Sequence, residues 1–330
     1  MAVSDLFAII KDKVKATKPK VVLPEGDDDR IVKAASRLSR EELIQPILIG
    51  NEKEIRERAA KLGFSLHDCE IFDPDTYEHM GELVQLFVER RKGKETEESA
   101  REKLNDPNYF GTMLVYSGRA GGLVSGAAHS TGDTVRPALQ IIKTKPGISK
   151  TSGVFIMVKE DKKFVFADCA INISPTDEEL AEIAISTAET AKIFDIDPKV
   201  AMLSFSTKGS AASLETKKVS TATTMAQEQR PDLVIDGEFQ FDAAFVPTVA
   251  EKKAPDSPLQ GEANVFIFPS LESGNLGYKI AQRLGNYEAI GPILQGLNQP
   301  VNDLSRGCNT EDVYKLSLIT AMQSVEDQTK

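Results

Sequence analysis

The segment LSRGCNTEDV, residues 304–313, places a hydroxyl (Ser305), a guanidinium (Arg306), a thiol (Cys308) and two carboxylates (Glu311 and Asp312) within eight residues. A carboxylate can take a proton, and a guanidinium can hold an anion or a developing negative charge. The same residues also read as a loop that breaks on Gly307 and caps a helix. In that reading Asn309 is the N-cap and Asp312 the N3 acid of a capping-box-like pair. The two readings are not exclusive, and the segment alone does not choose between them.

Three further segments rich in small and polar residues follow strand-like runs. In SGAAHSTGDTVRP, residues 125–137, Gly126, Ala127 and Ala128 permit close backbone approach, Ser130 and Thr131 carry hydroxyls, and Arg136 a rigid fork. Amides and an arginine in that order suit a phosphate; the plainer reading is a tight turn with Asp133 capping the next helix. In SFSTKGSAAS, residues 204–213, the loop amides and Ser210 can meet an anion at a helix start. The Walker spacing is missing there, and an ordinary strand–helix connection explains the segment equally well. In PSLESGNLGYKIAQRLG, Gly274 and Asn275 precede a helix bearing Tyr278, Lys279 and Arg283, which is either a cap or a substrate-facing terminus. Three scattered His and three scattered Cys give no zinc-ligand spacing. His129 reads as loop packing more than as a general base. Neither GxSxG nor a GxGxxG after the first strand is present, so a serine hydrolase and a dinucleotide fold both lose support.

The elements that carry these loops alternate. KVVLP, QPILIG and CEIFDP are short β-rich runs, each followed by a stretch with helical spacing, which is the pattern of βα units and parallel sheets. GVFIMVKEDKKFVFADC breaks that alternation as a hairpin around KEDKK, and so marks a domain transition near Pro146–Lys150. The alternation then resumes through KVAMLSFS, DLVIDG and NVFIFP. In 330 residues this makes a two-part α/β protein. Ligands of such sheets sit beyond the carboxyl ends of the strands.

The composition narrows the function classes. A net charge of −10 disfavours nucleic-acid partners, and an anionic substrate needs a local positive site built against that field. No apolar run approaches the ~20 residues of a membrane span. The N-terminus reads as a first helix and not a signal peptide. Cys69, Cys169 and Cys308, odd in number and far apart, point to a reducing cytoplasm.

Six ordered motifs together resemble the phosphate acetyltransferase (phosphotransacetylase) family: SGAAHSTGDTVRPALQIIKT, FADCAINISP, AMLSFSTKGSA, DGEFQFDAAFVP, NVFIFPSLESGNLGYKIAQRLG and PVNDLSRGCNTEDV. The resemblance runs from VVLPEGDDDRI to the last helix. It implies reversible acetyl transfer between acetyl phosphate and coenzyme A in a homodimer, with no bound cofactor and no metal. It also implies two-domain α/β subunits with mainly parallel sheets and an isocitrate/isopropylmalate dehydrogenase-like architecture. The first domain would be residues 1–147 completed by 299–330 and the second 148–298, with the active site in the interdomain cleft.

By the same resemblance Asp312 takes the proton from the CoA thiol, Arg306 binds the phosphoryl group and the developing charge, and Ser305 hydrogen-bonds the reacting carbonyl region. Arg136 matches a second phosphate-binding arginine. Arg90, in ERRKGKETEESA, is a looser match, since Arg91 is adjacent and the glycine is displaced to Gly93. Ser130, Thr131, Ser210, Asn275, Tyr278, Lys279 and Cys308 complete the expected substrate-binding set. A free carboxylate near ~4 and a free thiol near ~8.5 differ by about 6 kcal/mol, so proton transfer needs a raised acid or a lowered thiol. Competing readings are a phosphate butyryltransferase, a metal- and NAD-dependent decarboxylating dehydrogenase, and a non-catalytic acyl-CoA-sensing domain.

Overall fold

The computed structural model describes residues 3–328. The chain divides into two compact units, one of Phe7–Lys145 with Leu297–Lys330, the other of Pro146–Gly296 together with residues through Leu6. Among the described residues, 3–6 at the start of the chain group with the second of these units.

Helix α1 (Val3–Lys15) precedes the βα series of the first unit: β1 (Lys20–Leu23), α2 (Asp29–Arg40), β2 (Gln45–Ile49), α3 (Glu52–Lys61), β3 (Glu70–Phe72), α4 (Met80–Arg91), α5 (Glu97–Lys103), α6 (Pro107–Tyr116), β4 (Gly122–Ser125) and α7 (Thr131–Ile141). The second unit contains β5 (Ser152–Lys159), β6 (Lys162–Ala167), α8 (Asp177–Ile193), β7 (Lys199–Leu203), α9 (Leu214–Gln229), β8 (Val234–Phe239), α10 (Phe241–Phe245), α11 (Pro247–Lys253), β9 (Val265–Ile267), α12 (Leu271–Arg283) and β10 (Glu288–Gln295). The chain then returns to the first unit as β11 (Val301–Asp303) and α13 (Thr310–Gln328).

The first sheet is wholly parallel, ordered β11-β4-β1-β2-β3. Its strands are short apolar runs because both faces are covered: Val21, Val22, Leu23, Leu123 and Val124 are fully buried. From β1 the chain winds outward through β2 and β3, then crosses to the other side with β4. That reversal beside β1 is the topological switch point, where strand ends leave a crevice. Registers pairing Asp303 with Ser125 and Val22 with Leu123 bring the carboxyl ends of β11, β4 and β1 to one level.

The second sheet is ordered β10-β5-β6-β9-β7-β8. The expected hairpin is β5 against β6, antiparallel, and β10 adds a second antiparallel edge. The remaining neighbours are parallel. Its core is aromatic, with Phe155, Phe166, Phe239, Phe266 and Phe268 all buried. Among the described residues no helix is long and apolar enough to cross a membrane.

Candidate active site

At the switch point of the first sheet the β4–α7 loop wraps a carboxylate of the protein itself. Glu25, just past β1 and 2% exposed, accepts backbone N–H bonds from Gly126, Ala127, Ala128 and His129 at 2.7–3.2 Å. The His129 ring adds a contact from Nδ1 to Oε1 at 2.8 Å. A buried carboxylate needs such donors to offset its lost hydration. The expectation that these amides cradle a substrate phosphate is therefore corrected: Glu25 holds them. The small residues are required all the same, since a Cβ on Gly126 would lie 2.5 Å from the Leu304 carbonyl oxygen.

The hydroxyls of this loop are also engaged. Ser130 is the N-cap of α7 and forms a capping box with Asp133, which was the plainer of the two sequence readings. The Thr131 hydroxyl donates to Asp303 Oδ2 at 2.7 Å. Asp303, closing β11, is 3% exposed, and burial pushes its carboxyl up to about 6. Arg136, on the second turn of α7, is exposed, and its guanidinium makes no hydrogen bond or ion pair among the described residues.

The 304–312 segment leaves β11 at the same level. Its first amide, Leu304, donates to the Ser125 carbonyl at 2.6 Å. Ser305 Oγ accepts from the Gly307 amide, and the Ser305 carbonyl from the Cys308 amide, so the loop closes on itself as a turn. Arg306 is exposed, and its guanidinium has no partner among the described residues. Asn309 Oδ1 accepts the amides of Glu311 and Asp312, while Asp312 Oδ2 accepts the Asn309 amide at 2.9 Å. Asp312 is thus the N3 acid of a capping box and also exposed, with Oδ1 left uncommitted. Cys308 is buried, and burial pushes its thiol up to about 11 against the opposing pull of Arg30.

Arg90 stands elsewhere. From the last turn of α4 it donates through Nε to Ile141 O at 2.6 Å and through Nη2 to Ile142 O at 3.0 Å, with its guanidinium 4.9 Å from the Tyr116 ring centroid. It satisfies carbonyls at the C-terminal end of α7, whereas the site lies at the N-terminal end, roughly 16 Å away along the axis of an eleven-residue helix. A basic cluster gathers there: Arg90, Lys92, Arg91 and Lys94 together depress the Lys143 ammonium below its ordinary value.

In the second unit three candidates have local employment. Ser210 Oγ accepts the Thr207 amide, and α9 starts only at Leu214, with Ser213 as its cap. The Gly209 amide goes to Glu238 and the Ala211 amide to Ser206 Oγ, so the loop expected to face an anion is already satisfied. Gly274 and Asn275 lie inside α12, not before it; Ser270 caps the helix, and Asn275 Nδ2 donates to Cys169 O. Tyr278, half-buried, stacks on Phe155 at 3.9 Å and 14° and packs on the aromatic core. Lys279 is exposed beside Tyr278. A buried Asp168 repeats the Glu25 device, accepting the amides of Gly153, Ala170, Ile171 and Asn172.

A cavity of about 750 Å³ adjoins Glu25 and His129 at the carboxyl ends of β1 and β2, lined also by Asp27, Asn51 and Arg58. A larger one, about 940 Å³, lies at the opposite ends of the strands among Lys20, Gln45 and Glu70. There Lys20 and Gln45 both engage Glu70, and neither cavity is lined by Arg306 or Asp312. Volume therefore does not locate the chemistry; the strand carboxyl ends do. Among the described residues no group of His, Cys, Asp and Glu is placed to hold a metal ion. Glu25, Arg30 and Asp303 escaped the sequence reading. The available signal was PEGDDDR, charged residues directly after β1, where the strand-end rule applies as it does after β4.

Comparison with known proteins bears on the whole chain. A model of the family described as phosphate acetyl/butaryl transferase matches residues 5–321. A protein of Bacillus subtilis (strain 168) named phosphate acetyltransferase is 66% identical over 322 residues, covering 98% of this chain and 100% of the relative. A solved phosphotransacetylase from Streptococcus pyogenes has a TM-score of 0.97 at 60% identity, over 99% of this chain and 100% of that one. A 4-hydroxythreonine-4-phosphate dehydrogenase from Salmonella typhimurium, 12% identical with a TM-score of 0.56 over 93% of this chain and 100% of its own, shares the fold alone.

Proposed function

The chain belongs to the phosphate acetyl/butaryl transferase family, and from that premise we propose that it transfers an acetyl group reversibly between acetyl phosphate and coenzyme A by direct thiolate attack in a ternary complex. The observation that supports this reading best is the 304–312 loop. It exposes an unpaired arginine and a carboxylate with a free oxygen on one short turn beyond a strand end.

In the forward direction Asp312 takes the proton of the CoA thiol and the thiolate adds to the acetyl carbonyl. The carbon–oxygen bond to phosphate then breaks, and inorganic phosphate leaves with the electron pair. Arg306 meets the charge that develops on the phosphoryl oxygens and lowers the cost of the nearby thiolate, with Arg136 as a second cation. Ser305 holds the carbonyl region. Ser130 and Thr131 are committed to Asp133 and Asp303, and so shape the site rather than grip substrate. Cys308, buried and with a thiol that titrates near 11, is a poor nucleophile at neutral pH, which favours direct transfer over an acyl-enzyme. The basic cluster of Arg90, Arg91, Lys92, Lys94 and Lys143 suits a phosphate of coenzyme A away from its thiol. Lys279, exposed in the second unit, is a further cation that the resemblance offers. The substrates are then acetyl phosphate and CoA with no bound cofactor. Three buried free thiols fit a reducing cytoplasm.

The test is phosphate-dependent release of free thiol from acetyl-CoA, run on wild type and Asp312→Asn. The variant should lose about 10²–10⁴-fold in kcat while KM for CoA stays within about threefold. Near-normal turnover would remove Asp312 from the base role. Ping-pong kinetics, or acetyl trapped on Cys308, would overturn direct transfer. The rate ratio for acetyl and butyryl phosphate separates the two acyl specificities in the family's description.

A further inference from the structure

Arg30 is the second residue of α2, and its guanidinium presents five N–H donors. Each has an oxygen. Nε donates to Asp28 Oδ1 at 3.0 Å, and Nη2 to Asp28 Oδ2 and to the Ala127 carbonyl, both at 2.7 Å. Nη1 donates to the carbonyls of Arg306 at 2.8 Å and Cys308 at 3.0 Å, with Cys308 Sγ at 3.6 Å as a weaker sixth contact. One side chain therefore ties the loops after β1, β4 and β11 together at the carboxyl ends of those strands.

We infer that Arg30 is the positioning residue of this active site, acting through the backbone on either side of Gly307 and never on substrate. With all five donors taken, Arg30 has none left for a phosphate, unlike Arg306 and Arg136. Its grip on the Arg306 and Cys308 carbonyls turns those groups inward, and Arg306's side chain is left exposed on the outer side of the turn. Asp28 makes the arrangement rigid: its carboxylate caps α2 by accepting the Arg30 amide at 2.8 Å and clamps the fork with both oxygens. A lysine cannot replace this residue, because a single ammonium has three donors and no planar fork. Glu25 is the complementary fastener from the same β1–α2 segment, holding the β4–α7 loop by its amides while Arg30 holds it by the Ala127 carbonyl.

The inference rests on the transfer reading above, in which Arg306 acts at the developing charge. If Arg30 sets that geometry, Arg30→Ala should lower kcat by about 10²-fold, the order of loss expected from a misplacement near 1 Å, while KM for acetyl phosphate and CoA moves much less. Guanidinium ion at low millimolar concentration should restore part of the lost kcat by reoccupying the three-loop junction. A role in stability alone predicts no rescue, because guanidinium at a few millimolar, acting as m times its concentration, scarcely shifts folding stability. Arg30→Lys decides the matter should the alanine variant not fold: a kcat depressed about tenfold with a normal circular-dichroism spectrum is expected. Wild-type kcat in Arg30→Lys overturns the assignment, as does a folded Arg30→Ala whose loss guanidinium fails to rescue. Asp312→Asn assayed alongside keeps the two readings apart, because normal turnover there sinks the base assignment whatever Arg30 does.

Discussion

Asp303 carries one oxygen bonded to Thr131 and another, Oδ1, that is buried without a partner. Burial raises its carboxyl to about 6, Thr131 opposes that shift, and the charge of Glu25 adds to it. The folded state thus binds this proton more tightly than the unfolded chain, whose aspartate titrates near ~4. The linked stability is fully present below about pH 4 and is lost as pH rises through about 6, on the order of 2–3 kcal/mol over the window. Asp303→Asn should remove that term, so the urea midpoint of the variant relative to wild type should improve between pH 4 and pH 7. A constant difference across that range would show that the buried charge is not what costs stability. The sequence reading passed over this acid, and nothing local to it gives its state. Its pKa depends on Thr131 and Glu25, which lie far off in the chain and reach it only through the pairing of β11 with β4.

Elements built from short apolar runs were legible from their pattern, and β11 shows where pattern stops. VND has a buried Asn302 and Asp303, which a local reading takes for loop. Asn302 is tolerated because Thr320 and Gln323 of α13 accept its amide protons. β10 was obscured in the same way by Gly291 and Pro292, which coincide with a shift of register against β5. In α12 the glycine signal misled: Gly274 looked like a helix start but lies within the helix, where its missing side chain admits the Asp168 carbonyl. A Cβ there would sit 2.2 Å from that oxygen. Gly274→Ala should therefore destabilise the protein by about 1–3 kcal/mol despite alanine's better helix propensity, read as a lower urea midpoint. An unchanged or raised midpoint would mean that α12 shifts away at no cost.

The whole molecule carries ten more acidic than basic side chains, yet the two arginines at the candidate site without protein partners are Arg136 and Arg306. An acidic chain that must hold anionic substrates gains from leaving just those cations unneutralised. The outer face of α12 carries a different message. Leu276, Ile280 and Leu284, at successive four-residue intervals, are 61%, 56% and 81% exposed. The homodimer implied by the resemblance would have this stripe as a candidate contact for its second copy. Sedimentation should give a dimer for the wild type and a monomer for Leu276→Asp combined with Ile280→Asp. A dimer that survives both changes would place the interface elsewhere.

The order of βα elements, the loops worth searching and the family were all decided by sequence. Periodicity is local, and six motifs in order are specific. Which groups already have a protein partner was decided only by the tertiary structure, because hydrogen-bond saturation is settled across the chain. Glu25 fills an amide nest 102 residues away, and Arg30 spends two donors on carbonyls 276 and 278 residues away. Small residues and an arginine near a strand end look alike whether they wait for a phosphate or already hold the protein's own carboxylate. Folding decides that by bringing the internal partner within reach of some and leaving Arg306 and Arg136 without one.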